Sequence, residues 1–257
     1  MSEWNSEQYL KFKKERTQPS MDLANAIKIN NPINIIDIGC GPGNSTAVLK
    51  KRFPNAHIIG ADFSPNMIEK AKMDYPDIEF MLFDATKDFE KIEDKFDIAF
   101  SNACIQWVPN HKKLLSDMMC ILKPNGVLAV QVPMNFEEPI HKIIAEVITR
   151  KEWAEKIGAG RQFHTLKESE YFDILSDISS DFTMWKTIYM HRMPSHQSII
   201  EWYKSTGMKE YLAVLSDEDK IKFEQAVFSE VEKYYSVQKN GEIIFRFPRL
   251  FFTAVKS

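Results

Sequence analysis

Ile35-Ile36-Asp37-Ile38-Gly39-Cys40-Gly41-Pro42-Gly43-Asn44-Ser45 is the stretch from which the fold of this chain is predicted. An apolar run followed at once by glycines indicates a buried β-strand that leads into a tight turn and the start of a helix. The glycines follow a G-x-G-x-G pattern, which differs from the G-x-G-x-x-G of dinucleotide-binding proteins. Such a turn carries few side chains, so its backbone can approach a bound nucleoside closely. The sequence therefore predicts a nucleoside-binding turn after the first strand.

One acidic residue narrows the choice of nucleoside. Asp37 lies just before the first glycine, at the carboxyl end of the predicted strand. A carboxylate at this place can pair with a cationic part of a ligand, and the pyrophosphate of a dinucleotide offers none. S-adenosyl-L-methionine combines a nucleoside with a sulfonium and an amino-acid tail. We therefore predict S-adenosyl-L-methionine as the cofactor.

Composition excludes several classes of protein. The length of 257 residues suits one large domain or a core with an inserted cap, and 44% hydrophobic residues is ordinary for a globular protein. A net charge of -3 offers no basic field for nucleic acid. The polar N-terminus has no apolar signal core, and no apolar run approaches the ~18 residues that span a bilayer. We expect no nucleic-acid, membrane or obligate protein partner.

The cysteines indicate the compartment. Cys40, Cys104 and Cys120 form an odd set without the spacing of metal ligands. A disulfide framework is therefore not expected, and neither is a metal site. Free cysteines indicate a reducing compartment, and we therefore predict a cytoplasmic protein.

Strand and helix patterns alternate through the first half of the chain. The apolar runs are Ile33–Ile38, His57–Ala61, Ile78–Phe83, Phe96–Ser101 and Val127–Val132. Helical patterns between them predict parallel strands joined by right-handed crossovers. Two more strands, Phe182–Met190 and Ile243–Val255, bring the count to seven. We predict an α/β fold with a doubly wound, mostly parallel, Rossmann-like sheet.

The second half is predicted to be mostly helical before the last strand. Helical patterns cover Ile140–Ile157 and Ser195–Tyr235. We predict a single domain over residues 1–257, with a helical cap inserted at about 195–240. Residues 1–30 would form an N-terminal lid, 31–133 the cofactor half and 134–257 the substrate half.

Polar residues fall at the predicted carboxyl ends of four strands. They are Asp37, Asp62, Asp84 and Asn102, and in doubly wound sheets ligands bind at these ends. Asp62 lies 19 positions after Gly43, close to the ~20 typical of an acid that binds ribose hydroxyls. The alternative for Asp62 is a carboxylate that caps the next helix, which Ser64 and Pro65 would begin. For Asp84 the alternatives are a contact with the adenine amino group and a plain turn.

Further cofactor-binding candidates lie on the same loops and on the predicted lid. On the loops they are Gly39, Cys40, Gly41, Gly43, Asn44, Phe63, Ser64, Met67, Ala85 and Ala103. On the lid, Tyr9 and Arg16 share one helical face and could meet the cofactor's carboxylate. A simple packing helix is the alternative there, as core packing is for Met67.

Several motifs connect the chain to a known family. From Ile33 through Val132 it resembles class I S-adenosylmethionine-dependent methyltransferases. Almost end to end, it is similar to the bacterial trans-aconitate methyltransferases. The motifs that carry this likeness are Trp4-Asn5, Gln106-Trp107-Val108-Pro109, Met193-Pro194-Ser195-His196-Gln197 and Phe247-Pro248-Arg249-Leu250-Phe251. The resemblance implies a methyltransferase core and esterification of a carboxylate of trans-aconitate, a small polycarboxylate.

Other functions stay open at this stage. A methyltransferase for another acid, such as malonyl carrier protein or a fatty acid, would share the cofactor site. A nicotinamide-dependent oxidoreductase is disfavoured by the glycine spacing, and a non-catalytic binding module would lack a cationic acceptor site. A carboxylate acceptor, with a pKa of ~4, is already ionised at neutral pH, so no general base is required. This agrees with the absence of a recognisable base motif.

Acceptor-binding candidates follow from the charge of a tricarboxylate. Arginine matches carboxylate geometry with two parallel hydrogen bonds, and Arg249 is our first choice. His191 and His196 flank Met193-Pro194 and could donate to a carboxylate, with structural histidines as the alternative. Gln106 and Trp107 could line the methyl-transfer cavity or pack in the core. Arg246 departs from the apolar or small residue expected there, and could add positive charge or point to solvent.

Overall fold

A seven-stranded sheet with flanking helices forms the framework of the protein. The computed structural model describes residues 13–158, 163–204 and 206–257, and the side chains of these residues except 13–16. The strands are β1 (Asn34–Ile38), β2 (His57–Asp62), β3 (Glu79–Leu82), β4 (Phe96–Asn102), β5 (Leu122–Pro133), β6 (Phe182–Met193) and β7 (Ile243–Val255). The α-helices are α1 (Lys13–Ala26), α2 (Asn44–Arg52), α3 (Pro65–Asp74), α4 (His111–Cys120), α5 (Pro139–Thr149), α6 (Lys151–Ile157), α7 (Glu168–Ile178), α8 (His196–Lys204), α9 (Lys209–Val214) and α10 (Asp217–Tyr234).

Strand order confirms the predicted fold class. The strands are arranged β3-β2-β1-β4-β5-β7-β6, and β1 to β5 pair in parallel. β7 pairs antiparallel with β5. The order reverses at β1, since β2 and β3 lie on one side of it and β4 on the other. Ligands of doubly wound folds bind at such a switch point, at the carboxyl ends of the strands.

Burial on both faces explains why the central strands were readable in the sequence. Ile35 and Ile36 of β1 and Ile98, Ala99 and Phe100 of β4 are fully buried. Parallel strands covered by helices on both faces have continuous apolar runs instead of alternation. The strand bounds therefore match the apolar runs closely, except in β5. That strand begins at Leu122, five residues earlier than predicted, and its pairing with β4 shifts register between Phe96 and Ile98.

Two predicted helices are interrupted. The sequence predicts one helix over Ile140–Ile157, but Arg150 is extended, with φ -64° and ψ 140°, and separates α5 from α6. Its guanidinium bonds to Glu146 and Glu230. The segment Ser195–Tyr235 likewise contains α8, α9 and α10. Ser216 begins α10, and its hydroxyl accepts a hydrogen bond from the backbone amide of Asp219 at 3.2 Å.

The chain divides into two compact units, each with its own core. The sheet unit comprises Arg16–Pro133, Phe163–Thr187 and Arg249–Ser257. The helical unit includes residues 134–158, 188–204 and 206–248. Its core is formed by buried aliphatic and aromatic side chains that include Trp153, Phe223 and Phe245. The assignment of the whole chain to a single domain, with its lid and halves, stays a prediction.

No helix within residues 13–158, 163–204 and 206–257 combines the length and the apolar character needed to cross a membrane.

Candidate active site

The glycine turn after β1 has the backbone that its sequence predicts. Gly39 and Gly41 have φ values of +76° and +54°, in the left-handed region that favours glycine. A Cβ at Gly39 would collide with the Sγ of Cys104, so this position has no room for any other residue. A Cβ at Gly41 would meet no atom of the described residues within 4 Å. Within the described part of the chain the turn is therefore open at Gly41, where a ligand can approach the backbone.

Asp37 is fully buried at the end of β1, beside this turn. Its Oδ2 accepts hydrogen bonds from Ser45 Oγ at 2.6 Å and Thr46 Oγ1 at 2.7 Å. Its Oδ1 has no hydrogen-bond partner among the described residues. Burial raises the pKa of Asp37 to about 6, although the two hydroxyls act in the opposite direction and Asp62 adds a small repulsion. A cationic ligand group at Oδ1 would offset this burial.

Asp62, the last residue of β2, joins two parts of the site. Its Oδ2 accepts from the amide of Gly41 and its Oδ1 from the amide of Ser64, each at 2.9 Å. Burial raises the pKa of Asp62, and these amides act in the opposite direction. Ser64 precedes α3, which begins at Pro65 as predicted. Asp62 thus bonds to the residue that precedes α3 and to no amide within the described helix, and its contact with ribose stays a prediction.

Backbone strain marks the end of β4. Ala103 has φ +54°, which is uncommon for a residue with a Cβ and costs about 1–3 kcal/mol. Its amide donates to the carbonyl of Gln131 at 3.0 Å, and its carbonyl accepts from Gln106 Nε2 at 2.7 Å. Asn102 Oδ1 and Gln106 Oε1 are buried and have no hydrogen-bond partner in the described part of the chain. The loop after β4 therefore presents two unsatisfied acceptors.

The loop after β3 has the geometry of a turn. Asp84 Oδ1 accepts from the amide and the hydroxyl of Thr86 at 2.9 and 2.7 Å, and Lys87 Nζ lies 3.1 Å from Oδ2. The hydrogen bonds from Thr86 lower the pKa of Asp84 to about 2. Of the two alternatives for Asp84, the turn residue agrees with these contacts. The contact of Asp84 and Ala85 with adenine stays a prediction.

The remaining cofactor candidates differ in exposure. Phe63 is exposed beside Asp62, Met67 is half-buried on α3, and Cys40 is buried in the glycine turn. Burial raises the pKa of the Cys40 thiol far above its ordinary value. Asn44 Oδ1 accepts from the Tyr75 hydroxyl at 3.2 Å. Tyr9 and the side chain of Arg16 lie outside the described residues.

Acceptor candidates of the sheet unit lie after β4 and on β7. Arg249 is 8% exposed and pairs in the sheet with Pro133, the last residue of β5. Trp107 is half-exposed, and its ring centroid lies 4.8 Å from that of Phe163. The amide of His164 donates to the carbonyl of Gln106 at 3.0 Å. Arg249 is therefore at the sheet edge predicted to bind ligands.

Acceptor candidates of the helical unit have structural contacts of their own. The His196 Nε2 donates to the carbonyl of Tyr235 at 2.7 Å. The ring of His191 lies 5.2 Å from that of Trp202 and 5.9 Å from that of Phe247. Arg246, with a side chain 52% exposed, lies 3.9 Å from Glu138. Substrate roles for His191, His196 and Arg246 stay predictions, and these contacts favour structural roles for the two histidines.

Comparison with known proteins decides the family. A family described as a methyltransferase domain matches residues 29–240. The trans-aconitate 2-methyltransferase of Enterobacter sp. (strain 638) is 40% identical over 255 residues, covering 99% of this chain and 98% of that protein. The enzyme of the same name from Shigella flexneri is 39% identical over 254 residues, with the same coverage. The chain belongs to the trans-aconitate 2-methyltransferase family.

Solved structures agree with the methyltransferase fold. YcgJ from Bacillus subtilis has a TM-score of 0.58 at 16% identity and covers 93% of this methyltransferase and 98% of its own chain. A Haemonchus contortus phosphoethanolamine N-methyltransferase 2, solved with S-adenosyl-L-methionine, has a TM-score of 0.56 at 18% identity. It covers 93% of this chain and 52% of its own. Membership of this family identifies the chain as a methyltransferase, and the alternative of a nicotinamide-dependent oxidoreductase is therefore excluded.

The residues of this class I S-adenosylmethionine-dependent methyltransferase fit its cofactor. The acceptor atoms of Asp37 and Asn102 that bond to no described residue suit a ligand with a cationic end. The open backbone at Gly41 suits a nucleoside. No group of three or more metal-binding side chains occurs among the described residues.

Sequence reasoning missed three buried polar residues of the sheet unit. His111 Nε2 donates to the carbonyl of Ile105 at 2.8 Å, and its Nδ1 accepts from the Tyr171 hydroxyl at 2.8 Å. The third is Gln131, a fully buried amide in β5. Its position inside the apolar run Val127–Val132 was the one signal that could have identified it. His111 and Tyr171 are 60 positions apart and gave no such signal.

Proposed function

We propose that this methyltransferase transfers a methyl group from S-adenosyl-L-methionine to a carboxylate of trans-aconitate. The products would be a monomethyl ester and S-adenosylhomocysteine. One observation carries the proposal: relatives of that name match 99% of the chain at 40% and 39% identity. Agreement over the whole length includes the segments that would bind the acceptor as well as the more widely shared cofactor turn.

The chain's own residues support binding of the cofactor at the carboxyl ends of β1, β2 and β4. S-adenosyl-L-methionine, when bound, supplies a methyl group activated by the neighbouring sulfonium charge. Gly41 leaves its backbone accessible, and Asp62 fixes the amide of that residue. Asp37 provides a buried carboxylate whose Oδ1 can accept from a cationic group. In this proposal the three residues hold and orient the donor without taking part in proton transfer.

The acceptor is held by positive charge. Arg249 is nearly buried, and burial strengthens its attraction for a carboxylate because water screens it less. Its guanidinium can bind a carboxylate through two parallel hydrogen bonds. Another carboxylate of the same molecule, ionised already, would be the nucleophile. Holding the nucleophilic oxygen at ~3–3.5 Å from the methyl carbon, in line, is then the main catalytic contribution.

We place the activity in the cytoplasm and limit its acceptors to small polycarboxylates. Cys40, Cys104 and Cys120 are free thiols, which suits a reducing compartment. The net charge of -3 offers no general attraction for nucleic acid or anionic lipid.

The proposal is tested by methyl transfer from labelled S-adenosyl-L-methionine to a panel of acids. The panel contains trans-aconitate, cis-aconitate, citrate, malonyl carrier protein and a long-chain fatty acid. We expect the highest kcat/KM for trans-aconitate, with the product identified as a monomethyl ester by mass spectrometry. Lack of transfer to any di- or tricarboxylate would refute the proposed acceptor. Preferred transfer to the carrier protein or the fatty acid would replace it with one of those substrates.

A further inference from the structure

One face of the sheet carries a row of polar side chains across its carboxyl edge. Asp37 of β1 pairs in register with Phe100 of β4, two residues before Asn102. Asn102 pairs with Gln131 of β5, which in turn pairs with Phe251 of β7, two residues after Arg249. Paired residues project to the same face, and so do residues two apart in a strand. Asp37, Asn102, Gln131 and Arg249 therefore share one face.

Gln131 is unusual within this row. Its side chain is 0% exposed, and neither Oε1 nor Nε2 has a hydrogen-bond partner among the described residues. Burying an amide without partners destabilises a fold, and natural cores hold few such groups. An apolar side chain of the same size would serve the core of the sheet better. A residue that lowers the stability of the fold at one position is typical of a functional site.

The order of charges along the row indicates what Gln131 binds. The row begins with the carboxylate of Asp37, continues through the amides of Asn102 and Gln131, and ends with the guanidinium of Arg249. The cationic tail of the cofactor suits the Asp37 end, and an anionic acceptor suits the Arg249 end. Gln131 is the row member nearest to Arg249, because Arg249 pairs with Pro133, two residues further along β5. Among the residues of the row, Gln131 is therefore the one placed to reach a carboxylate held by Arg249.

We propose that Gln131 is a substrate-binding residue that donates a hydrogen bond from Nε2 to a carboxylate of the methyl acceptor. The inference rests on the proposed function and specifies how that site selects its acceptor. A tricarboxylate presents six oxygens, more than one guanidinium can satisfy. A neutral donor beside Arg249 adds a hydrogen bond to a charged partner without adding a second buried charge. Gln131 would then favour small polycarboxylates over acids with a single carboxylate.

The test compares two substitutions at Gln131. Gln131→Met keeps the size and removes both polar atoms, whereas Gln131→Glu keeps the shape and replaces the donor with an acceptor. We expect each to raise the KM for trans-aconitate by about 10- to 100-fold, the usual effect of losing a hydrogen bond to a charged group. The Kd for S-adenosylhomocysteine should change by no more than about twofold. Gln131→Met should also leave the Tm of the ligand-free enzyme unchanged or raise it, because no protein hydrogen bond is lost.

Ser179→Ala is the matched control for a structural role. The Ser179 hydroxyl is buried and donates at 2.7 Å to the carbonyl of Val255, the last residue of β7, six positions beyond Arg249. This variant should lower Tm and leave the KM for trans-aconitate unchanged. The opposite responses of Ser179→Ala and Gln131→Met separate a structural role from a role in binding.

Three results would overturn the inference. The first is an unchanged KM in both Gln131 variants. The second is a Kd for S-adenosylhomocysteine that rises as much as KM, which would assign Gln131 to the cofactor. The third is a lower Tm for Gln131→Met with an unchanged KM. Failure of the wild-type enzyme to methylate trans-aconitate is a separate result. It would refute the proposed function. The same variants would then be measured with whichever acid the enzyme methylates. If it methylates no acid, the inference about Gln131 is refuted as well.

Discussion

The carboxylate of Asp62 accepts a hydrogen bond from the backbone amide of Gly41 across 2.9 Å, from the end of β2 to the turn after β1. Its other oxygen accepts from Ser64 at the start of α3. One side chain thus fixes both the glycine turn and the entry to the next helix. A ligand that rests on Gly41 should therefore depend on Asp62 through the shape of the turn, and the predicted contact with ribose would add a direct dependence.

Asp62→Ala should weaken binding of S-adenosylhomocysteine by about 10- to 100-fold, because it removes charged acceptors and frees the Gly41 amide. Isothermal titration calorimetry measures the effect. Asp97→Ala is the control, since Asp97 Oδ2 accepts from the amides of Ile33 and Asn34, both at 2.8 Å, at the other end of β1. It should lower stability and leave the Kd unchanged. Equal Kd values for Asp62→Ala and the wild type would refute the role of Asp62.

Asp37 should make the ligand-free enzyme less stable as pH rises. Burial raises the pKa of Asp37 from 3.8 to about 6, so between these values the folded state binds more protons than the unfolded state. The free energy of unfolding therefore falls as pH rises through this window, and the loss persists above it. A shift of this size corresponds to at most about 3 kcal/mol. Asp37→Asn removes the titration, and its carbonyl can still accept from Ser45 and Thr46.

Urea unfolding at several pH values checks this prediction. The unfolding free energy of Asp37→Asn minus that of the wild type should increase by up to about 3 kcal/mol between about pH 4 and about pH 7. Asp97→Asn is the control. Burial raises the pKa of Asp97, but hydrogen bonds from Asn34, Lys123 and Ile33 outweigh burial, so the net pKa lies below 3.8. Its difference from the wild type should therefore stay flat above about pH 5. A flat difference for Asp37→Asn as well would contradict the prediction.

The parts of the site that could be predicted from sequence are those fixed by local chemistry. Gly39 and Gly41 need left-handed backbone, Asp37 lies within an apolar run that only a buried strand explains, and Asp62 follows another such run. Parallel strands then bring these distant residues to one edge without any further information. The same logic gave the central strands of the sheet, because continuous apolar runs mark strands buried on both faces.

The parts that could not be predicted depend on contacts between distant segments. Arg150, at the break between α5 and α6, bonds to Glu230, 80 positions away. The unsatisfied amide of Gln131 is visible only once β4 and β7 flank β5, since a glutamine in a strand is unremarkable by itself. The hydrogen bond from His196 Nε2 to the carbonyl of Tyr235 is likewise evident only from the structure. Periodicity reports which face of an element is apolar, and it contains nothing about a partner far along the chain.

Arg249 and Arg246 should respond differently to substitution. Arg249→Ala should raise the KM for trans-aconitate by about 10- to 100-fold with cofactor affinity kept, because it removes a nearly buried cation from the acceptor. Arg249→Lys should give an intermediate KM, since a lysine keeps the charge but loses the fork of donors. Arg246→Ala, at a side chain 52% exposed, should change KM by less than about threefold. Steady-state kinetics measures these KM values, and the Tm of each variant shows whether it is folded. A larger rise in KM for Arg246→Ala than for Arg249→Ala would assign acceptor binding to Arg246 instead.

Tyr171→Phe should destabilise the enzyme although it removes a single oxygen. Because His111 Nε2 donates to the carbonyl of Ile105, its Nδ1 must accept, and the Tyr171 hydroxyl is the donor at 2.8 Å. Both side chains are buried, so the substitution leaves an imidazole acceptor without a partner, at a loss of about 1–3 kcal/mol. For a chain of this size, this lowers Tm by roughly 2–4 °C per kcal/mol. Differential scanning calorimetry measures the shift, with Tyr234→Phe as the control, since the Tyr234 side chain is exposed and should tolerate the change. Equal Tm values for Tyr171→Phe and Tyr234→Phe would show that this hydrogen bond does not stabilise the sheet unit.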